Sequence, residues 1–373
     1  MRRIAALVPN VLASSPGQRV RIESWSRPLK KAGWVVEFYP FEDQRLHAVL
    51  YQPGRHLAKA VRMLECYRRQ LGRVLSQVRC DVLFVYREAA LIGPALLERL
   101  AARHGVPLVY DVDDPVFLPY SSPTNHWFSL MKFPHKTHAL FRLSDHVITI
   151  NGSLADYAAR FNPSVSVIPN CVDVDHYRPE PAREGGPVRL AWVGSHSTMR
   201  NLHAIAEPLR RLQAEARVPL RVIGAGRFEL SGVDIESLQW SADTEVADLQ
   251  GCDIGLVPLL DDPWSPWKFF FKTVQYMAVG LPVVARRMGS NCEVIREGEN
   301  GFLVETPDEW HDRLHLLVHD NALRRQMGQA ARRTVVEHYS TQVQIPKLVS
   351  IFDQVYESRI GCGPNVACSD PHR

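Results

Sequence analysis

Two lysines, Lys268 and Lys272, interrupt the strongly apolar stretch WKFFFKTVQYMAVGLPVVA at residues 267–285, and their spacing is the first hint of chemistry in this chain. On a helical wheel Lys268, Lys272 and Gln275 fall at i, i+4 and i+7, beside an apolar stripe of Trp267, Phe271, Val274 and Ala278. Like charges at this spacing repel by roughly 0.2–0.5 kcal/mol on an exposed helix, and by more where water is partly excluded. An anionic ligand such as a diphosphate reverses the sign of that term. Without a ligand, the alternative is that both stems lie along aromatic rings and both ammonium groups reach water.

A second stretch, WVGSHSTMRNL at residues 192–202, runs from an apolar strand through Gly194 into a helical pattern. The glycine permits a tight turn, and the amides that follow would face an anion. Ser195, Ser197 and Thr198 add hydroxyls, and Arg200 adds a fixed cation. A merely capped helix, with Ser195 or Ser197 at its start, fits the same residues. Gly224 in GAGRFE also follows a strand, but the third glycine of a dinucleotide fingerprint is missing, so a dehydrogenase is poorly supported. Gly224 is read as a tight turn after that strand.

Three carboxylates, Asp111, Asp113 and Asp114, end the strand-like YDVDDP. Such a group suits either a hard cation or an acid/base position, with turn formation before Pro115 as the alternative. Asp113 is taken as the cleft-facing member. Near the N-terminus, Gly17 in SSPGQ follows the first strand, where a glycine turn brings backbone amides to a ligand. His126, His135 and His138 have no metal-ligand partners at convincing spacing.

These residues need a scaffold, and the apolar runs supply one. Runs such as RIAALVP, DVLFVYR, PLVYDV, VRLAWVG, DIGLVPLL and LPVVAR alternate with amphipathic stretches from end to end. Runs of this kind, separated by helices, predict parallel strands covered on both faces, a doubly wound α/β pattern met twice. Pro179, Pro181, Gly185, Gly186 and Pro187 mark a linker near residues 172–187. The expected domains are residues 1–175 with a returning helix at 345–361, and residues 186–344; residues 362–373 are expected to be a disordered tail. In open α/β sheets ligands lie beyond the carboxyl ends of the strands, which is where Gly194, Asp113 and the DDPWSPWK loop fall.

The 373 residues carry a net charge of +4 and are 46% hydrophobic and 23% charged, as in folded globular proteins. The mild basicity favours anionic ligands but is too small to argue for nucleic acid. Seven scattered cysteines, among them Cys362 and Cys368, show no zinc spacing and read as reduced thiols. No run has the length of a transmembrane helix, so a cytoplasmic protein is expected. The Arg-rich residues 62–79 allow a peripheral membrane contact, or are simply a solvated helix face.

In this order, VIPNCVDVDHYRP, QYMAVGLPVVA and GENGFLVE make the chain resemble the retaining nucleotide-sugar enzymes of glycosyltransferase family 4. The resemblance implies a GT-B fold, two facing Rossmann-like domains with the acceptor on the first and the donor on the second, and a final helix returning to the first. It implies a nucleotide-sugar donor, a hydroxyl acceptor and transfer with retention, without a required metal. Ser195, Arg200, Lys268, Lys272 and Gly17 would contact the donor diphosphate, with Arg200 and Lys272 also stabilising its charge as it leaves, and Gly224, Trp240 and Gln275 would line its nucleoside and ribose. Asp113 would stand where many relatives carry a histidine, orienting the acceptor or serving as a weak base.

The chain departs from the family at its Glu-x7-Glu signature, whose glutamates would fall at Trp267 and Gln275. Gln275 keeps the ability to bond a ribose hydroxyl, and Asp261 or Asp262 in the preceding loop would replace the sugar-contacting carboxylate near Trp267. Two alternatives share the architecture: a non-hydrolysing nucleotide-sugar 2-epimerase, which needs carboxylates on both sides of the sugar, and a nucleotide-sugar-binding protein without turnover.

Overall fold

The computed structural model describes residues 1–76, 80–118, 133, 135–181 and 185–361. His126, Cys362, Cys368 and the tail at 362–373 lie outside the described residues. The chain divides into two units, Met1–Pro169 with Ile345–Arg373, and Asn170–Gln344.

In the first unit, β1 (Arg2–Val8), β2 (Trp34–Pro40), β3 (Val82–Tyr86), β4 (Leu108–Val112), β5 (His146–Thr149) and β6 (Val165–Val167) form a parallel sheet of order β2-β1-β3-β4-β5-β6. Every residue of β3 and β4 is buried, which is why these strands read as unbroken apolar runs. Alternation divides β1 between two cores, Ala5 and Leu7 on one face and Ile4, Ala6 and Val8 on the other. The second face is covered by the returning helix through Ile345, Leu348, Ile351, Phe352 and Val355. That helix is anchored where Asp353 Oδ1 accepts from Arg2 at 2.6 Å and from Trp34 Nε1 at 3.1 Å.

The second unit contains β7 (Leu190–Val193), β8 (Leu220–Ile223), β9 (Ile235–Leu238), β10 (Ile254–Val257), β11 (Val283–Arg286) and β12 (Gly301–Val304), in the order β12-β11-β10-β7-β8-β9. Strand order reverses between β7 and β10 here, and between β1 and β3 in the first unit. The carboxyl ends of those strands are where an open α/β sheet leaves a crevice. Residues of the expected linker fold with the second unit. Val172 bridges Ser340 beside a Val172 N–H to Tyr339 O bond of 3.0 Å, and Arg332 donates to the carbonyls of Val174 and Tyr177 at 2.8 and 2.5 Å. The boundary therefore falls at 169/170 rather than at 175–186.

The helix Phe271–Ala278 buries Thr273 to Ala278 and stops at Gly280, whose φ of +81° is the left-handed conformation a glycine adopts without strain. Gly280 N–H bonds Met277 O and Leu281 N–H bonds Tyr276 O, both at 3.0 Å, before Pro282 opens the path into β11.

Candidate active site

Lys268 is not on this helix. Ser265–Trp267 forms a 3-10 turn, Lys268 itself is extended at φ −80° and ψ 148°, and the helix begins only at Phe271. Pro266 shapes that turn, and Asp262 fixes it by accepting from Trp264 N–H at 2.8 Å, Ser265 N–H at 2.9 Å and Ser265 Oγ at 2.8 Å. Burial alone would raise the Asp262 carboxyl, but these bonds and the charge of Lys268 hold it below its ordinary range. Asp262 is thus occupied as the anchor of a turn, and the exposed Asp261 faces Arg286 at 3.6 Å. Trp267 is half-buried.

Lys272 is different. Its ammonium lies 5.2 Å from the centre of the Trp192 ring, and neither a hydrogen bond nor a carboxylate reaches it among the described residues. Loss of water around it lowers its pKa from 10.5 to about 8. The Trp192 indole is itself fixed at the end of β7: a Cβ built on Gly194 would stand 2.1 Å from Trp192 Cη2 and 2.8 Å from Thr198 Oγ1. Only glycine fits there. Gly224 in turn packs against Gly194 O and Trp240 Cβ, where its own Cβ would come within 2.7 and 3.2 Å.

Beyond Gly194, Ser195 N–H donates to Thr198 Oγ1 at 3.1 Å, and Ser195 Oγ and Ser197 Oγ are 2.9 Å apart, so the hydroxyls close the 3-10 turn His196–Thr198 on itself. Arg200 is exposed on the short helix Met199–His203 and has no carboxylate partner among the described residues. Gln275, buried one turn after Lys272, donates through Nε2 to Tyr177 Oη and Glu245 Oε1, both at 2.9 Å. Trp240 Nε1 also donates to Glu245 Oε1, at 3.0 Å. A continuous chain of contacts thus runs from Lys272, Trp192 and Gly194 beside the β7–β10 switch point through Gly224 and Trp240, which follow β8 and β9, to Glu245 and Gln275.

In the first unit the three aspartates separate. Asp111 is fully buried and bidentate with Arg21, at 2.7 Å from Nε and 2.5 Å from Nη2. Asp113 accepts from Tyr86 Oη at 2.7 Å and from Arg87 Nη2 at 2.9 Å, and Arg87 also bonds Asp114. Among the described residues no cluster of His, Cys, Asp or Glu could hold a metal ion, and the three carboxylates are committed to arginines. Burial alone would raise the Asp113 carboxyl, but Arg87, Arg21 and the Tyr86 hydroxyl bring it below its ordinary range. An ionised carboxylate held this way is a poor proton acceptor at neutral pH, and the same bonds hold the Arg87 guanidinium in place. Gly17 lies against this group, since its Cβ would meet Tyr86 Oη at 2.7 Å and Asp113 Oδ2 at 3.0 Å. It belongs to the first unit, whereas Ser195, Arg200, Lys268 and Lys272 belong to the second.

Sequence reasoning passed over Trp192, Arg87, Tyr177 and Glu245. Two had a usable signal: Trp192 stands in a strand two residues before the glycine of the turn, and Arg87 ends the run DVLFVYR at the other switch point.

The family model for Glycosyltransferase Family 4 matches residues 17–176, and that for Glycosyl transferases group 1 matches residues 187–320. The chain is 30% identical over 95 residues to Spore coat protein SA of Bacillus subtilis, covering 24% of this chain and only 25% of that protein. It is 24% identical over 321 residues to the MMP alpha-(1->4)-mannosyltransferase of Mycolicibacterium hassiacum, covering 78% and 75%. Among solved structures, the sucrose-phosphate synthase of Thermosynechococcus elongatus superposes with a TM-score of 0.70 at 14% identity, covering 96% of this chain and 100% of that one. HepE of Anabaena, solved in complex with UDP-glucose, gives 0.66 at 16% identity, covering 97% and 100%. With both halves matched by models of one group and the two parallel sheets of a GT-B fold in place, the chain belongs to the group 1 glycosyltransferases of family 4.

Proposed function

We propose that this protein transfers a hexosyl residue from a nucleoside diphosphate sugar, bound in the second unit, to an acceptor hydroxyl with retention of anomeric configuration. The observation that carries the reading is Lys272, a desolvated ammonium at the strand-order reversal with no protein anion beside it among the described residues. A diphosphate supplies the missing charge. As the anomeric carbon–oxygen bond breaks, negative charge gathers on the departing diphosphate, where Lys272, Arg200 and the backbone after Gly194 would stabilise it more than they stabilise the intact donor. A phosphate oxygen of the leaving group then takes the acceptor's proton on the same face of the sugar, a step that needs no carboxylate base. The complexes of HepE with UDP and with UDP-glucose support a nucleotide-sugar donor.

The test is turnover of UDP-, GDP- and ADP-hexoses, followed by proton NMR of the first-formed sugar. An α-configured donor is expected to release or transfer an α-configured sugar; an inverted product, or no turnover of any donor, contradicts the reading.

The acceptor side has its own feature. Helix His56–Ser76 exposes Leu57, Val61, Leu64 and Leu75, each at least 47% accessible, within about 60° of arc at 100° per residue. The exposed Arg68 lies within that stripe and Arg55 just ahead of the helix. Apolar side chains interspersed with cations fit the surface of an anionic bilayer. Vesicles containing phosphatidylglycerol should sediment the protein, vesicles of phosphatidylcholine should not, and the L57S/V61S/L64S variant should bind at least tenfold less. Equal sedimentation of that variant would rule the surface out.

A further inference from the structure

The departure at Gln275 has a structural counterpart in Glu245. Both hydrogens of the Gln275 amide are committed, one to Tyr177 Oη and one to Glu245 Oε1, and the carboxylate fixes which way the amide points. Gln275 therefore has no donor left for a ligand and carries no charge. Glu245 sits on the helix Glu245–Gln250 and is half-buried. Its Oε1 accepts from Trp240 Nε1 and Gln275 Nε2, and its Oε2 accepts from Tyr177 Oη at 3.0 Å. A carboxylate offers about four lone-pair sites, so these three donors orient it and leave an acceptor position on Oε2.

We infer that Glu245, braced by Gln275, Tyr177 and Trp240, is the residue that accepts the ribose hydroxyls of the donor nucleotide. The inference rests on the nucleotide-sugar reading above. Lys272 and Gln275 are three residues apart on one helix and thus neighbours on its surface, and Glu245 touches the second of them. One ligand presenting its diphosphate at Lys272 would then present its ribose at Glu245. The same geometry accounts for the glutamine. A glutamate at 275 would face Glu245 across 2.9 Å, so the charge has moved from one member of a hydrogen-bonded pair to the other. A carboxylate accepts a hydroxyl more strongly than an amide oxygen does.

The experiment titrates ADP, GDP and UDP, each beside its 2′,3′-dideoxy counterpart, into the whole protein by calorimetry. The wild type should prefer the ribose form of its nucleotide by about tenfold or more. In E245Q that preference should fall to within about twofold, with affinity for the dideoxy form unchanged, and the reciprocal swap E245Q/Q275E should restore it. A preference retained in E245Q overturns the inference alone, as does a swap that fails to restore it. Failure of both variants to fold also counts against it, because a carboxylate kept for a ligand is dispensable for folding. Absence of binding by the wild type to every nucleotide contradicts instead the reading on which the inference rests.

Discussion

Replacing Lys272 with methionine should weaken nucleoside diphosphate binding by about 10- to 100-fold and, at the same time, raise the melting temperature of the ligand-free protein. The binding loss is that of a charge-assisted contact made where little water competes. The stability gain follows from the lowered pKa. Folding holds the Lys272 ammonium at about 8 against an ordinary 10.5, so the charged form is disfavoured in the native state. That cost is absent above the unfolded value, grows as pH falls through the interval, and is complete below about 8. At neutral pH it amounts to at most roughly 3 kcal/mol, offset in part by the Trp192 ring beneath the ammonium. Methionine keeps the stem's apolar packing and removes the cost. Turnover should fall further than binding, by about 10²- to 10³-fold, because the lost charge faces the one that develops in the transition state. Thermal melts at pH 7 with and without ligand measure the first two effects, and a variant less stable than wild type would show that the lysine is held for folding instead.

Gly194→Ala is expected to be the most damaging small substitution in the second unit, costing about 3 kcal/mol or more. The added methyl would enter the Trp192 ring at 2.1 and 2.4 Å, and that indole is only 2% exposed, enclosed in the core with Leu190, Leu220 and Leu256. Since the same ring underlies Lys272, the variant should lose nucleotide binding in proportion to its loss of packing. Gly72→Ala is the control. A Cβ there meets nothing within 4 Å inside the helix His56–Ser76, so alanine should be neutral or stabilise by about 0.5–1 kcal/mol. Urea unfolding of the two variants separates the outcomes, and equal midpoints would remove the basis for treating Gly194 as sterically fixed.

The parallel sheets were legible because strands such as β3 and β4 are buried on both faces and so leave unbroken apolar runs. Gly194 and Gly280 were legible too, since a turn or a helix end writes its demand into one residue type. Lys268 was not: the run WKFFFK keeps a helical period through a 3-10 turn that Pro266 and Asp262 impose. The domain boundary was hidden because residues 172–178 are held by Arg332 and Tyr339, more than 150 positions away. The pairing of Asp113 with Arg87 was hidden because Arg87 follows a different strand, β3. Glu245, the partner of Gln275, was hidden for the same reason, since nothing in the neighbourhood of Gln275 in the sequence announces it.

The central claim is that Lys272 awaits a diphosphate, and its most direct measurement is the proton balance of binding. Titration of UDP, GDP or ADP near pH 8.5, in two buffers of different ionisation enthalpy, should show net proton uptake as the ligand restores the ammonium, vanishing in Lys272→Met. Uptake should also vanish in the wild type near pH 6.5, where the lysine is already charged. Proton uptake unchanged in the variant, or no nucleoside diphosphate bound at either pH, would contradict the account.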